Sequence, residues 1–281
     1  CLKAGNAVVL RGGSESINSN KAIVKALADA VRNSDLPEGV IQLVPWTERE
    51  AVNALLKMDK YIDLIIPRGG EGLIRKVVET STIPVIKHYK GVCHVYVDKD
   101  ANQDMALSII ENAKCQRPGV CNAAETVLIH KDIAEEFTPK MTDMLHKHGV
   151  ELRGDDKFCK LVSSAKAATE DDWYTEYLDL ILSVRIVDSM EQAIEHISTY
   201  GSAHSDAIVT DNRNTATYFQ EAVDAATVYV NASTRFTDGG EFGMGAEIGV
   251  STDRIHARGP MGLDELTSYK YLITGSGQVR T

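Results

Sequence analysis

A chain of 281 residues with 43% hydrophobic and 25% charged residues has the composition of an ordinary globular protein, which excludes a disordered or fibrous chain. The formal net charge of −10 argues against nucleic-acid binding, because contact with phosphates requires an excess of lysine and arginine. No apolar run approaches the roughly 20 residues that span a bilayer, and no signal-like leader opens the chain. We therefore expect a cytoplasmic protein of about two domains that binds a small molecule.

The first ninety residues alternate short β-rich runs with amphipathic stretches. Hydrophobic spacing predicts strands at 7–10, 40–44, 64–66 and 84–86, and helices at 17–31, 47–57 and 73–79. Strands that alternate with helices are typical of a parallel sheet with helices on both faces. The sequence therefore predicts an α/β fold built on a parallel sheet.

From residue 92 onwards, predicted strands and helices alternate with a different spacing. The pattern predicts strands at 92–97, 126–129, 178–187, 207–209 and 228–230, and helices at 104–112, 132–147, 189–201 and 215–223. From Arg258 the chain reads as a turn followed by a β-prone strand at its end. A terminal strand without a neighbour is an exposed edge, so we expect it to pair with another subunit of a homo-oligomer or with a subdomain.

Two glycine-rich turns follow predicted strands. Residues 68–72 (RGGEG) place Gly69 and Gly70 before a helix, where backbone amides approach a phosphate. Residues 11–14 (RGGS) add Arg11, a fixed charge suited to a ribose 2′-phosphate, which favours NADP. From the residues alone, a plain turn explains the glycines equally well, and a solvated arginine at a strand end is the better explanation of Arg11.

The loop at residues 115–123 (CQRPGVCNA) is the strongest local signal of chemistry. A thiol on a glycine-bearing turn just before a strand faces a cleft, where neighbouring backbone N–H groups lower its pKa and receive an oxyanion. A buried apolar thiol is the alternative for any single cysteine. The five cysteines are an odd number, and we expect no disulfides. The spacing of cysteine and histidine shows no zinc pattern, so no metal is expected.

Several segments carry a family resemblance. Residues 4–11 (AGNAVVLR) resemble a strand of the aldehyde dehydrogenase cofactor domain, and residues 119–123 (GVCNA) resemble the catalytic-thiol loop of that superfamily. Four further motifs are similar to the γ-glutamyl phosphate reductase family, namely residues 63–70 (DLIIPRGG), 121–126 (CNAAET), 231–243 (NASTRFTDGGEFG) and 256–262 (HARGPMG). The resemblance runs along the whole chain.

The resemblance implies an α/β, aldehyde dehydrogenase-like fold with a partial, parallel-sheet Rossmann-type NADP-binding domain at 1–90, an α/β catalytic domain at 91–257 and a β oligomerisation tail at 258–281. It implies NADPH-dependent reduction of L-glutamyl 5-phosphate to the semialdehyde in proline biosynthesis, through a thioester on Cys121. The implied catalytic residues are Cys121 and Asn122. The implied cofactor ligands are Arg11, Gly12, Ser14, Gly69, Gly70 and Glu176, and the implied substrate ligands are Arg117, Ser233, Thr234 and Arg235.

The chain also departs from ordinary aldehyde dehydrogenases. His88 stands where those enzymes place a general-base glutamate, which would spare a thioester from water. Ser14 stands where NAD-preferring members carry a glutamate. An N-terminal segment typical of the family is missing from this sequence, which suggests a fragment. A hydrolytic NAD(P) aldehyde dehydrogenase, an inactive aldehyde-dehydrogenase-like fragment, and the reductase half of a kinase–reductase fusion are the alternatives.

Overall fold

The computed structural model describes residues 1–281, which fall into two compact units. The first unit comprises residues 1–55 and 261–281, and the second comprises residues 56–260. The domain boundaries expected at residues 90 and 257 divide the chain by function rather than by contacts, and they stay a prediction. None of the helices combines the length and apolar composition needed to cross a bilayer.

The first unit has the predicted β-α-β-α order. Its elements are β1 (Val8–Leu10), α1 (Ile17–Arg32), β2 (Ile41–Leu43) and α2 (Arg49–Leu55). Strands β1 and β2 pair in parallel, with Val8 opposite Ile41. This parallel pair with α1 between its strands confirms the predicted periodicity at the start of the chain.

The strand predicted at the end of the chain is not formed. Residues 267–281 have no regular secondary structure, and Tyr271 and Ile273 are fully exposed. A strand requires a partner that accepts and donates its backbone hydrogen bonds, and no edge within this chain pairs with the segment. Its expected role in subunit assembly stays a prediction.

The second unit opens with a region where two predicted strands are wrong. Residues 64–66 and 84–86 form only a single parallel bridge, between Ile65 and Val85. Each run is short and bounded by proline, and Pro84 has no N–H to donate to a ladder. Helix α3 (Glu71–Thr80) lies between them, as predicted.

A seven-stranded sheet, parallel throughout, forms the centre of the second unit. Its strands are β3 (Cys93–Val97), β4 (Ala124–His130), β5 (Glu151–Gly154), β6 (Lys166–Ala167), β7 (Ile181–Val187), β8 (Ser205–Val209) and β9 (Thr227–Val230), in the order β6-β5-β7-β4-β3-β8-β9. The helices are α4 (Gln103–Cys115), α5 (Lys131–Lys147), α6 (Asp156–Leu161), α7 (Glu170–Trp173), α8 (Met190–Tyr200) and α9 (Arg213–Ala222). A short antiparallel pair, β10 (Val250–Ser251) and β11 (Gly259–Pro260), completes the unit.

Each face of the sheet is covered by its own group of helices. Val95 and Val97 of β3 pack in one cluster with Phe137 of α5, and Tyr96 packs in a second cluster with Phe219 of α9. Successive residues of a strand point to opposite faces, so a continuous apolar run fills both cores. All five side chains are fully buried.

Strand β7 begins three residues later than predicted. Leu178 has a φ of +55°, a left-handed conformation that a leucine adopts only where its surroundings hold it, and this conformation separates residues 176–178 from the strand. The prediction also missed β5, β6, α6 and α7, which are too short to show a clear period.

The segments that precede the strands meet at one edge of the sheet. Gly91 lies just before β3, Cys121 before β4, Glu176 before β7 and His204 before β8. Because parallel strands share one direction, their amino ends lie side by side. This edge is where residues distant in sequence come together.

Candidate functional site

A cavity of about 410 Å³ lies at this amino-end edge of the sheet, and Cys121 lines it. The thiol is partly buried rather than sealed in the apolar core, as a reactive cysteine requires. Cys115, at the end of α4, does not line this cavity. Of the other predicted site residues in the second unit, the wall includes Gly69, Arg117, Asn122, Glu176 and Arg235.

The backbone of Cys121 packs directly against Gly91. A Cβ atom at residue 91 would overlap the carbonyl oxygen of Cys121 and lie 2.6 Å from its carbonyl carbon. The same carbonyl oxygen accepts a hydrogen bond from the buried thiol of Cys93 at 3.2 Å. Close approach of the two backbones therefore fixes the turn that presents the Cys121 thiol.

The pKa of Cys121 moves in the direction opposite to the prediction. Burial raises it to about 11, the negative charges of Glu176 and Glu247 add to the rise, and Arg68 and the residue's own N–H oppose it. The predicted lowering by backbone N–H groups is therefore outweighed. A thiol in this state is protonated at neutral pH and must lose its proton when it reacts.

Asn122 is buried and fully engaged with the protein. Its Nδ2 donates to the carbonyl oxygens of Thr237 (2.9 Å) and Arg235 (3.3 Å), and its Oδ1 accepts from the Arg235 guanidinium. Both amide hydrogens are thus committed to backbone acceptors. This arrangement supports a positioning role for Asn122 beside the thiol rather than direct contact with substrate.

Ser233 and Thr234, predicted as substrate ligands, do not line the cavity. The Thr234 hydroxyl donates to the carbonyl oxygen of Asn122 at 2.7 Å, and the Ser233 hydroxyl accepts from the Arg235 N–H at 3.2 Å. Thr234 is fully buried. These contacts hold the segment that presents Arg235, so of the three residues only Arg235 faces the cavity.

Three guanidinium groups, those of Arg68, Arg117 and Arg235, line the cavity. Arg235 donates from Nε to Gln116 at 2.9 Å, and burial together with the charge of Arg117 lowers its pKa. A Cβ at Gly249, which has a φ of +132°, would lie 2.8 Å from the Arg68 guanidinium. The cavity is therefore suited to a ligand with more than one anionic group.

Carboxylates occupy other parts of the same wall. Glu176 accepts from the Gly91 N–H at 2.8 Å, and Glu247 accepts from the Gly239 N–H at 3.0 Å. Burial raises the pKa of both. The sequence analysis named Glu176 as a site residue but did not name Arg68 or Glu247. Both lie in glycine-rich runs, which was the available signal.

His88 supplies an imidazole to the cavity wall. Burial and the charge of Arg68 lower its pKa. Its ring meets that of His204 edge to face, with 5.8 Å between centroids, and burial lowers the pKa of His204 to about 3. Both rings are therefore neutral at physiological pH.

The two predicted glycine-rich segments each lead into a helix, through irregular backbone at residues 11–13 before the 3-10 helix Ser14–Ser16, and through a bend at Gly69 before α3. In the first unit, Arg11, Gly12 and Ser14 lie between β1 and α1, Arg11 donates to the carbonyl oxygen of Thr47, and its buried Nε has no partner. In the second unit, Gly69 has a φ of +152°, which favours glycine. Gly70 precedes the first residue of α3 but does not line the cavity.

Comparison with known proteins agrees with this fold. Residues 1–179 match the aldehyde dehydrogenase family. A γ-glutamyl phosphate reductase from Caldanaerobacter subterraneus is 61% identical over 280 residues, which cover 100% of this chain and 68% of that protein. A γ-glutamyl phosphate reductase from Desulfatibacillum aliphaticivorans is 58% identical over 281 residues, which cover 100% of this chain and 67% of that protein.

A solved structure extends the comparison to three dimensions. The crystal structure of γ-glutamyl phosphate reductase from Thermotoga maritima superposes with a TM-score of 0.97 at 51% identity, covering 100% of this chain and 68% of that one. The chain therefore belongs to the aldehyde dehydrogenase family and, within it, to the family of the γ-glutamyl phosphate reductases.

Proposed function

We propose that the protein reduces L-glutamyl 5-phosphate to L-glutamate 5-semialdehyde with NADPH and releases phosphate, as a step of proline biosynthesis. The relatives named above support the reaction class. The observation that supports the chemistry is the cavity, in which the Cys121 thiol shares a wall with three guanidinium groups and a neutral imidazole. The cytoplasmic location and the homo-oligomer stay predictions.

Cys121 is proposed as the nucleophile. Its sulfur forms a bond to the γ-carbonyl carbon, the bond from that carbon to the phosphate oxygen breaks, and a thioester remains. The Cys121 N–H is proposed to stabilise the oxyanion, which for one well-placed donor contributes about 3–4 kcal/mol. The thiol proton must leave in the same step, because the thiol is protonated at neutral pH.

Glu247 is the proposed acceptor of that proton. Its pKa is raised by burial, which brings the carboxylate nearer to the neutral range where a general base works best. One of its oxygens accepts from Gly239, which leaves the other for the thiol proton. In this proposal Glu176 instead binds the ribose of the cofactor.

The guanidinium groups are proposed to bind the anionic ends of the substrate. Arg117 lies four residues from Cys121 in the same loop and is proposed to receive the departing phosphate. Arg235 is held by Gln116 and Asn122 and is proposed to bind the α-carboxylate. A planar guanidinium suits both groups because it donates two parallel hydrogen bonds to either.

Each unit carries residues that suit one part of a nicotinamide dinucleotide. In the first unit, the buried and unpartnered Nε of Arg11 and the exposed Ser14 are proposed to bind the 2′-phosphate, which favours NADP over NAD. In the second unit, Glu176 is proposed to accept from the ribose hydroxyls. When bound, NADPH supplies the hydride that reduces the thioester.

His88 is proposed to preserve the acyl group on Cys121. In hydrolytic enzymes of the family a carboxylate at this place is proposed to activate water towards the thioester, and residue 88 of this chain is a histidine instead. Phosphate rather than water is then the partner of the acyl group in the reverse reaction.

The test follows the reverse reaction in the intact protein, by NADP reduction with glutamate 5-semialdehyde. Wild type should oxidise the semialdehyde only when phosphate is present, and Cys121→Ala should be inactive. Cys115→Ala is the matched control and should keep its activity, because that thiol lies on α4 outside the cavity. Activity in Cys121→Ala, or oxidation that is independent of phosphate, would contradict the proposal.

A further inference from the structure

A fully buried ion pair lies directly beneath the loop that presents the thiol. The Nζ of Lys114 lies 2.6 Å from Oε2 of Glu125, and both side chains are 0% exposed. Lys114 belongs to the last turn of α4, and Glu125 is the second residue of β4. The two residues stand seven positions before and four positions after Cys121, so their contact closes the base of the thiol loop, residues 116–123.

The buried position of this pair needs an explanation other than stability. Removing two charges from water costs about as much as their attraction returns, and apolar pairs of similar volume often stabilise a fold as well or better. Burial raises the pKa of Glu125 to about 7 even though Lys114 opposes the rise. A buried pair retained at such a cost is better explained by the geometry that it enforces.

The second oxygen of Glu125 extends the contact to another part of the cavity wall. Oε1 accepts a hydrogen bond from the Leu178 N–H at 3.2 Å. Leu178 lines the cavity in the left-handed conformation, with a φ of +55°, and a Cβ at Gly119 of the thiol loop would lie 3.7 Å from its carbonyl oxygen. Glu176, two residues earlier, lines the same cavity. One carboxylate therefore holds both the thiol loop and the segment 176–178.

We infer that Lys114 and Glu125 are positioning residues that set the thiol loop against the segment 176–178 and so fix the Cys121 thiol relative to Glu176. Lys114 holds Glu125 in place, and Glu125 maintains the strained backbone of Leu178. The measurement of kcat rests on the proposed function, whereas the measurement of Cys121 alkylation does not require it.

The test replaces both charges at once, with Lys114→Met and Glu125→Gln in the same intact protein. Alkylation of Cys121 by iodoacetamide is followed by peptide mass spectrometry from about pH 6 to 11, beside kcat and the melting temperature. We expect a folded protein whose alkylation midpoint falls by at least about one pH unit, because a loosened loop exposes the thiol and separates it from Glu176. We expect kcat to fall at least about tenfold.

Asp155→Asn is the matched control. Asp155 accepts from the Phe158 and Ile186 N–H groups at the start of α6, away from the cavity, so this variant perturbs a half-buried, hydrogen-bonded carboxyl without touching the thiol loop. It should leave the alkylation midpoint unchanged. A folded double variant with the wild-type midpoint and kcat would overturn the inference, and so would an equal shift in the control.

Hydrogen exchange of the wild-type protein tests the inference without depending on whether a variant folds. The Leu178 N–H should exchange at least about a hundredfold more slowly than an unprotected amide, because a buried carboxylate accepts it. Exchange at the unprotected rate would overturn the inference whether or not the variants fold. If wild type reduces no glutamyl phosphate, the proposed function fails, while the alkylation midpoint and the exchange rate still decide this inference.

Discussion

Replacing Gly91 with alanine should inactivate the enzyme without unfolding it. The added Cβ would lie 2.6 Å from the carbonyl carbon of Cys121 and 2.8 Å from its Cα, whereas ordinary contact begins at 3.4 Å. The closest overlap is with the carbonyl oxygen of Cys121, so the two backbones must separate by more than about 1 Å, and a misplacement of about 1 Å at a reacting group costs on the order of a hundredfold in rate. A hundredfold loss corresponds to about 2.7 kcal/mol of transition-state stabilisation.

The measurement is kcat/KM for phosphate-dependent NADP reduction, with circular dichroism to establish that the variant is folded. Gly119→Ala is the matched control, because a Cβ there would lie 3.7 Å from the nearest atom, the Leu178 carbonyl oxygen, although the residue belongs to the same thiol loop. The control should stay within about threefold of wild type. A Gly91→Ala variant whose kcat/KM also stays within about threefold of wild type would refute the reasoning that close backbone contact positions the thiol.

Three further predictions follow from the site and the core. Alkylation of Cys121 in wild type should rise about tenfold per pH unit from about pH 7 to 10, because its pKa is raised to about 11, and a plateau near pH 9 would contradict this. In the Glu247→Gln variant, Cys121 should be alkylated faster at pH 8, because the substitution removes a negative charge that raises the thiol pKa. Turnover should fall at least about tenfold, because the substitution also removes the proposed base. Slower alkylation of Cys121 would count against the assignment. Phe137→Ala should lower the free energy of unfolding in urea by about 3–5 kcal/mol, whereas Tyr218→Ala on the exposed face of α9 should change it by less than about 0.5 kcal/mol.

Much of the fold was predictable because its elements bury regular apolar patterns. The run at 92–97 had no polar alternation, and the structure confirms a strand buried on both faces, with Val95 and Tyr96 in opposite cores. Residues 64–66 and 84–86 carried a similar local signal but formed only a bridge. Periodicity cannot show where proline removes the donor that a ladder needs.

The site was predictable only in part, because charge depends on what surrounds a residue in space. The turn residues placed Cys121 on a loop before a strand, and the structure confirms that position. The direction of its pKa could not be read from that loop. It is decided by burial and by Glu176 and Glu247, which lie 55 and 126 positions away along the chain. Likewise, only the fold shows that Ser233 and Thr234 support Arg235 instead of facing the cavity.

The gathering of these segments at the amino ends of four strands bears on how the protein is made. The wall of the cavity draws on residues from Pro67 to Val250, so a ribosome must have synthesised nearly the whole second unit before the wall can close. Until then Cys121 is a thiol in an open chain, with the ordinary acidity of cysteine and no anion-binding neighbours. The nascent polypeptide thus passes through a period in which its thiol is more easily oxidised than in the finished enzyme.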